Sequence, residues 1–282
     1  MNKRNYIYIA ISVVCVIAVI AAIFYQVSKN GKDANNGNEQ ATNQNTVTEN
    51  TIDLEEIKDE FNALFTNKFD NQGYETYTIK KIPGLETEDT IYSAYTIESK
   101  QDGKYDIDLN IPVFNVNGDV AAALNATTQS VFADKANKIL TGTEYYTIYN
   151  VDYIGYLNEN ILSLVIKSTL KEGDNAERLI VQTYNYDIET GKVVTLNEVL
   201  QANNINIKDV NKKIEETITE ANKQAEAVSA AAGQNIYKRD LNNAMYVTDN
   251  VQYFFVGLDG QIYIVYPYGN SNFTSEIDIV KI

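Results

Sequence analysis

Residues Tyr6 to Tyr25 form an uncharged, almost wholly apolar run of 20 residues that starts five residues into the sequence. As a helix rising about 1.5 Å per residue, such a run is roughly 30 Å long, the thickness of a bilayer's hydrocarbon core. Tyr6, Tyr8, Phe24 and Tyr25 stand at its two ends, where aromatic rings favour the membrane interface. The run is longer than the apolar core of a cleaved signal peptide, and its best small-x-small site, Val19-Ile20-Ala21, falls inside it. Val14 precedes Cys15, where lipoprotein modification needs a small residue. The expectation is an uncleaved transmembrane helix in residues 1–27, with residues 6–25 partnered by the lipid bilayer.

Residues 28–52 are nearly all Asn, Gln, Thr, Gly, Glu and Lys, too polar to bury a core and without helical periodicity. A flexible tether of this length spans on the order of 25–30 Å. Lys3 and Arg4 precede the apolar run and Lys29 and Lys32 follow it, a weak positive-inside bias. Together these features predict a single-pass protein of the cell membrane, N-terminus inside, holding residues 53–282 outside.

That remainder excludes much chemistry by composition. The chain has no histidine, and its only cysteine, Cys15, lies in the apolar run. No Ser-His-Asp or Cys-His constellation can form, and zinc would need an unusual all-carboxylate site. No phosphate-binding or dinucleotide glycine pattern is present, so neither a metal nor a cofactor is expected. After position 52 there are 19 basic and 35 acidic residues, about −16 in net charge. Such a domain repels nucleic acid and attracts basic proteins and cations, although solubility alone also accounts for the charge.

Periodicity predicts helices over residues 53–69, 119–140 (with Asp119 as N-cap) and 208–232, and a capping box at Thr195 and Glu198 opens a shorter one. Alternating runs predict strand pairs. Residues 92–99 and 104–111 turn at Asp102-Gly103, and 145–157 and 161–170 turn at Asn158-Glu159-Asn160. Residues 178–187 and 192–195 flank Glu189-Thr190-Gly191, and 251–257 and 261–266 flank Asp259-Gly260. The fold class is α+β, antiparallel hairpins with packed helices, preceded by the transmembrane helix.

From Ile111 to about Tyr268 the motifs fall in a familiar order. Ile111-Pro112-Val113 leads through Asn117-Gly118-Asp119 into a helix carrying Asn125. The strand 160–166 follows, then Tyr186-Asp187-Ile188-Glu189-Thr190-Gly191-Lys192 and Thr195-Leu196-Asn197-Glu198-Val199-Leu200. This part, about 111–268, resembles the tandem domain of unknown function in the ectodomain of the lysozyme-sensing anti-sigma factor RsiV. The same module forms the N-terminal, non-catalytic half of a bacillar peptidoglycan deacetylase. The resemblance implies an extracytoplasmic α+β module that binds a protein, a cationic muramidase in the best-known case. Two departures stand out: the turn 171–178 lacks the Gly-Gly-x-His of many members, and the five residues before the apolar run are too few to supply the sigma-binding segment the resemblance implies.

The candidate contact for a basic partner is the turn bearing Glu172, Asp174, Glu177 and Arg178, which also reads as a solvated hairpin end. Within the aromatic run Tyr145, Tyr146, Tyr149, Tyr153 and Tyr156, the rings of Tyr149 and Tyr153 are candidate recognition residues, or else sheet packing. Asp106 and Asp108 alternate on one strand face and are the candidate acids for carboxylate chemistry, or simply the wet face of a strand that buries Ile107 and Leu109. The leading expectation is a membrane-anchored, non-catalytic binding or sensing domain for a cell-envelope component or basic extracellular protein. The alternatives are an enzyme or accessory subunit acting on wall polymer, and a structural envelope domain.

Overall fold

Hairpins with tight polar turns build the larger of two sheets. The computed structural model describes residues 52–74, 79–232, 237–270 and 273–282; Thr51–Ile282 form one compact unit. The large sheet comprises β1 (Lys68–Asp70), β2 (Ile91–Gln101), β3 (Tyr105–Phe114), β4 (Thr147–Asn158), β5 (Ile161–Glu172), β6 (Arg178–Asp187) and β7 (Lys192–Val193). Its order is β2-β3-β4-β5-β6-β7, and the short β1 lies beside β4. The β2–β3 hairpin turns where expected, with Gly103 at φ 73°, a conformation that suits glycine. Most pairs are antiparallel, but β3 and β1 both run parallel to β4.

A parallel pair needs a crossover, and helices supply it. The expected single helix 119–140 is α2 (Asp119–Thr128) and α3 (Asp134–Thr141), separated by a π turn at Gln129–Ala133. The π turn coincides with a buried contact: Phe132 is fully buried and its carbonyl accepts from the Tyr149 hydroxyl at 3.3 Å. Gly118 rather than Asp119 occupies the N-cap, and Asp119 is the first helical residue. Helix α1 (Leu54–Ala63) ends earlier than the periodicity suggests. Asn67 takes φ 57°, a left-handed position that asparagine tolerates, and the chain then enters β1.

The second sheet, β8 (Phe254–Val256), β9 (Ile262–Asn270) and β10 (Phe273–Lys281), is antiparallel in the order β10-β9-β8. Helices α4 (Leu196–Ala202) and α5 (Ile207–Ala232) cover one of its faces. The expected capping box is present, with the Thr195 hydroxyl and the Glu198 carboxylate each serving the other's backbone N–H. Strand alternation then sorts the side chains into layers. Tyr149, Val151, Leu162 and Leu164 face α2 and α3. Ile154, Tyr156 and Val165 face Phe255, Val265 and Ile277 of the second sheet, and Phe61 of α1 joins them. Phe254, Ile264 and Val280 face α4 and α5. The result is helix on sheet on sheet on helix.

Side chains of the large sheet finish the backbone of the small one. The amides of Phe254 and Val256 donate to the hydroxyls of Thr183 and Ser163, each at 3.2 Å. Asn185 donates to the Phe254 carbonyl at 2.8 Å and accepts from Ser163 at 2.7 Å. The outer edge of β8 is thereby satisfied inside the core, as burial of backbone groups requires.

One expectation is corrected. Among the described residues, no helix is long and apolar enough to cross a membrane. The run Tyr6–Tyr25 lies outside the described residues, as does the linker to Thr51. The α+β class with antiparallel hairpins stands. The transmembrane helix at its head, the bilayer as partner of residues 6–25 and the single-pass localisation built on it are withdrawn.

Candidate functional site

The six predicted contact residues divide between core and surface. Tyr149 and Tyr153 are each 1% exposed, on the β4 face that packs against the crossover helices. Burial pushes both phenols above their ordinary range. The Tyr153 hydroxyl accepts from Ser93 at 3.2 Å. Residues 149, 151, 153 and 157 share one parity, so these rings point with Val151 and Leu157 into the core. That arrangement corrects their assignment to a recognition surface.

Glu172, Asp174, Glu177 and Arg178 do come together, at the tip of the β5–β6 hairpin. Glu172 ends β5 and pairs with Lys135 of α3 at 2.7 Å. Gly173, at φ 53°, donates to the Tyr146 carbonyl at 2.9 Å, and Lys171 donates to the carbonyl of Asn175. Asp174, Glu177 and Arg178 are exposed. A shallow cleft of about 330 Å³ lies between Glu172, Asn175, Ala176 and Arg178, floored by Leu170. Beside it stand Tyr145 and Tyr146, 54% and 38% exposed. Tyr145 lies against the hairpin tip: a Cβ placed on Gly173 would be 3.3 Å from the Cβ of Tyr145. Within the aromatic run 145–156 the exposed tyrosines are thus the two that precede β4 rather than those within it. The signal was their position, since they fall before the alternation with Val151 begins.

The carboxylate pair has a different setting. Asp106 is paired with Lys100, while Ile107 and Leu109 on the opposite face are buried. Partial burial, then the charges of Asp152 and Glu98, raise the Asp108 carboxyl above its ordinary value. These acids stand side by side on one strand instead of flanking a cleft. No group of three or more His, Cys, Asp or Glu among the described residues could hold a metal ion.

A larger cavity, about 840 Å³, opens at the opposite end of the large sheet. Its walls are the β4–β5 turn, the β6–β7 turn and the segment entering α2. Ile79, Val116, Tyr186 and Ile188 form its apolar part, and Lys80, Asn117, Glu159, Glu189 and Thr190 its polar part. The walls are braced to one another. Asp187 accepts from the amides of Glu189 and Thr190 at 2.8 and 2.9 Å and from the Asn160 side chain at 3.0 Å. The Ile188 amide donates to the Asn160 carbonyl at 2.9 Å, and the Asn117 amide to the Lys80 carbonyl at 2.7 Å. Tyr186 is 5% exposed, its ring set edge-on to Phe114. Its hydroxyl stands beside Gly191, and burial first, then Asp187, raises its pKa. The Tyr186–Lys192 stretch that carried the sequence resemblance therefore forms a wall of this cavity.

No family model and no curated protein matches the chain. Among solved structures it is similar to a DUF3298 family protein from Pseudomonas aeruginosa PAO1, at 12% identity and TM-score 0.36, covering 64% of this chain and 84% of that one. It is also similar to a DUF3298 member from Bacteroides fragilis, at 11% identity and TM-score 0.30, covering 63% and 80%. The likeness to DUF3298 proteins is distant and concerns the fold.

Proposed function

We propose that this chain is a non-catalytic binding module that takes a basic protein at the tip of the β5–β6 hairpin. The observation behind this reading is the gathering of Glu172, Asp174 and Glu177 beside the exposed rings of Tyr145 and Tyr146. Tyrosines give a partner contact area, and the carboxylates choose a partner of opposite charge. The acidity of residues 53–282 supports the same sign of partner, and the motif resemblance to lysozyme-sensing ectodomains supports a cationic muramidase as its class. Arg178 borders the cleft and sets the register of an acidic group on such a partner.

Calorimetry of Thr51–Ile282 against a cationic muramidase at low and high salt tests this. Binding that weakens with salt, and falls about tenfold in the triple variant Glu172→Lys, Asp174→Lys, Glu177→Lys, is the expected result. Binding indifferent to both salt and charge reversal would remove the hairpin as the site. The melting temperature of the triple variant separates lost contacts from lost fold, since Glu172 also pairs with Lys135.

A further inference from the structure

The cavity at the far end of the sheet is unused by the protein-binding reading, and its chemistry points elsewhere. Tyr186 is more than nine-tenths buried, yet its hydroxyl makes no hydrogen bond with any described residue. The ring is fixed in the core while the hydroxyl at its end reaches the cavity, so a ligand there meets a positioned donor and acceptor. That hydroxyl stands beside Gly191, itself a lining residue. Around it, the side chains of Lys80, Asn117, Glu189 and Thr190 also make no hydrogen bond or ion pair with a described residue. The braces described above use backbone amides, Asn160 and Asp187, so these exposed side chains at the wall can exchange water for a ligand.

We infer that this cavity is a binding site for a neutral, hydroxyl-rich ligand, an oligosaccharide of two or three units. The lining offers donors and acceptors together, an ammonium, an amide, a carboxylate and two hydroxyls, which matches groups that both donate and accept. An apolar floor of Ile79, Val116 and Ile188 suits the C–H faces of a sugar ring. An anion is disfavoured: Glu159 and Glu189 outnumber Lys80, and Asp119 already occupies the positive end of α2. A greasy ligand is disfavoured by the polar walls. The volume, about 840 Å³, lies in the range of small-molecule sites, and the cross-braced turns make the site preformed.

The test is calorimetric titration of the full chain with tri-N-acetylglucosamine, maltotriose and inorganic phosphate as separate probes. Saturable binding of at least one saccharide with Kd below about 1 mM is expected, with none for phosphate. Tyr186→Phe keeps the ring against Phe114 and deletes only the hydroxyl; it should weaken binding about five- to tenfold. Asn117→Ala, at an exposed loop position with no packing role, should do the same and guards against a folding artefact at Tyr186. Charge reversal at the hairpin should leave saccharide binding unchanged, so failure of the protein-binding reading and failure of this one are distinguishable. No saturable saccharide binding up to about 10 mM overturns the proposal. So does saccharide binding that neither variant weakens, or displacement of the saccharide by phosphate.

Discussion

Along β4 the face turned towards the second sheet changes character from one end to the other. Ile154 and Tyr156 are buried there, Asn150 and Asp152 are half-buried, and Ile148 is exposed. The opposite face is buried from Tyr149 to Leu157. The cavity end of the large sheet is therefore clad on both sides and its turns are tied by Asp187, whereas the hairpin end is clad on one side and projects past the second sheet. Backbone with few buried contacts opens locally at lower cost than backbone clad on both faces. The hairpin end can adapt to a large partner, and the cavity end holds a shape.

Two asparagines give the largest contrast. Asn185 is 3% exposed and bridges Ser163 to the Phe254 carbonyl, so Asn185→Ala strands two buried groups and should cost about 3 kcal/mol. Asn150 makes a similar cross-strand bond, to Thr169 at 3.2 Å, at the open end. Water replaces it there, and Asn150→Ala should cost about 0.5 kcal/mol or less. Equal losses in chemical denaturation would erase the difference between the ends. The next contrast is steric. A methyl group at Gly155 would lie 2.6 Å from Cδ1 of Ile91, which is 1% exposed and has nowhere to go, so Gly155→Ala should cost about 1–3 kcal/mol. Shortening the obstacle, as Gly155→Ala with Ile91→Val, should recover part of that loss. No recovery in the double variant would mean the strain lies in the backbone and not in the packing.

The hairpins, the capping box and α5 were legible because local chemistry decides them: Gly at positive φ, a Thr and a Glu three apart, and apolar residues at helical spacing. The parallel neighbours of β4 were not, because pairing between distant strands leaves no local mark. The π turn was missed for a related reason. It brings Phe132 to Tyr149, a contact that only the folded crossover creates. Of the proposed site, the acidic turn was legible as a charged hairpin end. Composition alone leaves Tyr149 and Tyr153 between recognition and sheet packing, and strand parity decides it by sending both to the core. The cavity was invisible, since its walls are distant in sequence: the segment around Asn117, the turn at Glu159 and the turn at Thr190 meet only through the sheet.

The smallest effect concerns the open face itself. Asp108 titrates above its ordinary value of 3.8 because partial burial, then Asp152 and Glu98, disfavour its charge in the folded state. A carboxyl raised on folding binds its proton more tightly folded than unfolded. Stability therefore falls as pH rises from the unfolded to the folded value, and the penalty is complete above the latter. Asp108→Asn should raise the melting temperature slightly at pH 7. The gain should shrink as pH falls through the folded value and vanish below about 3.8, where both states are protonated. The side chain is exposed and water screens its neighbours, so the shift is the smallest of the set. A gain that persists undiminished at pH 3 would assign it to something other than charge, and the open face would then lose its claim to be a wet, weakly coupled surface.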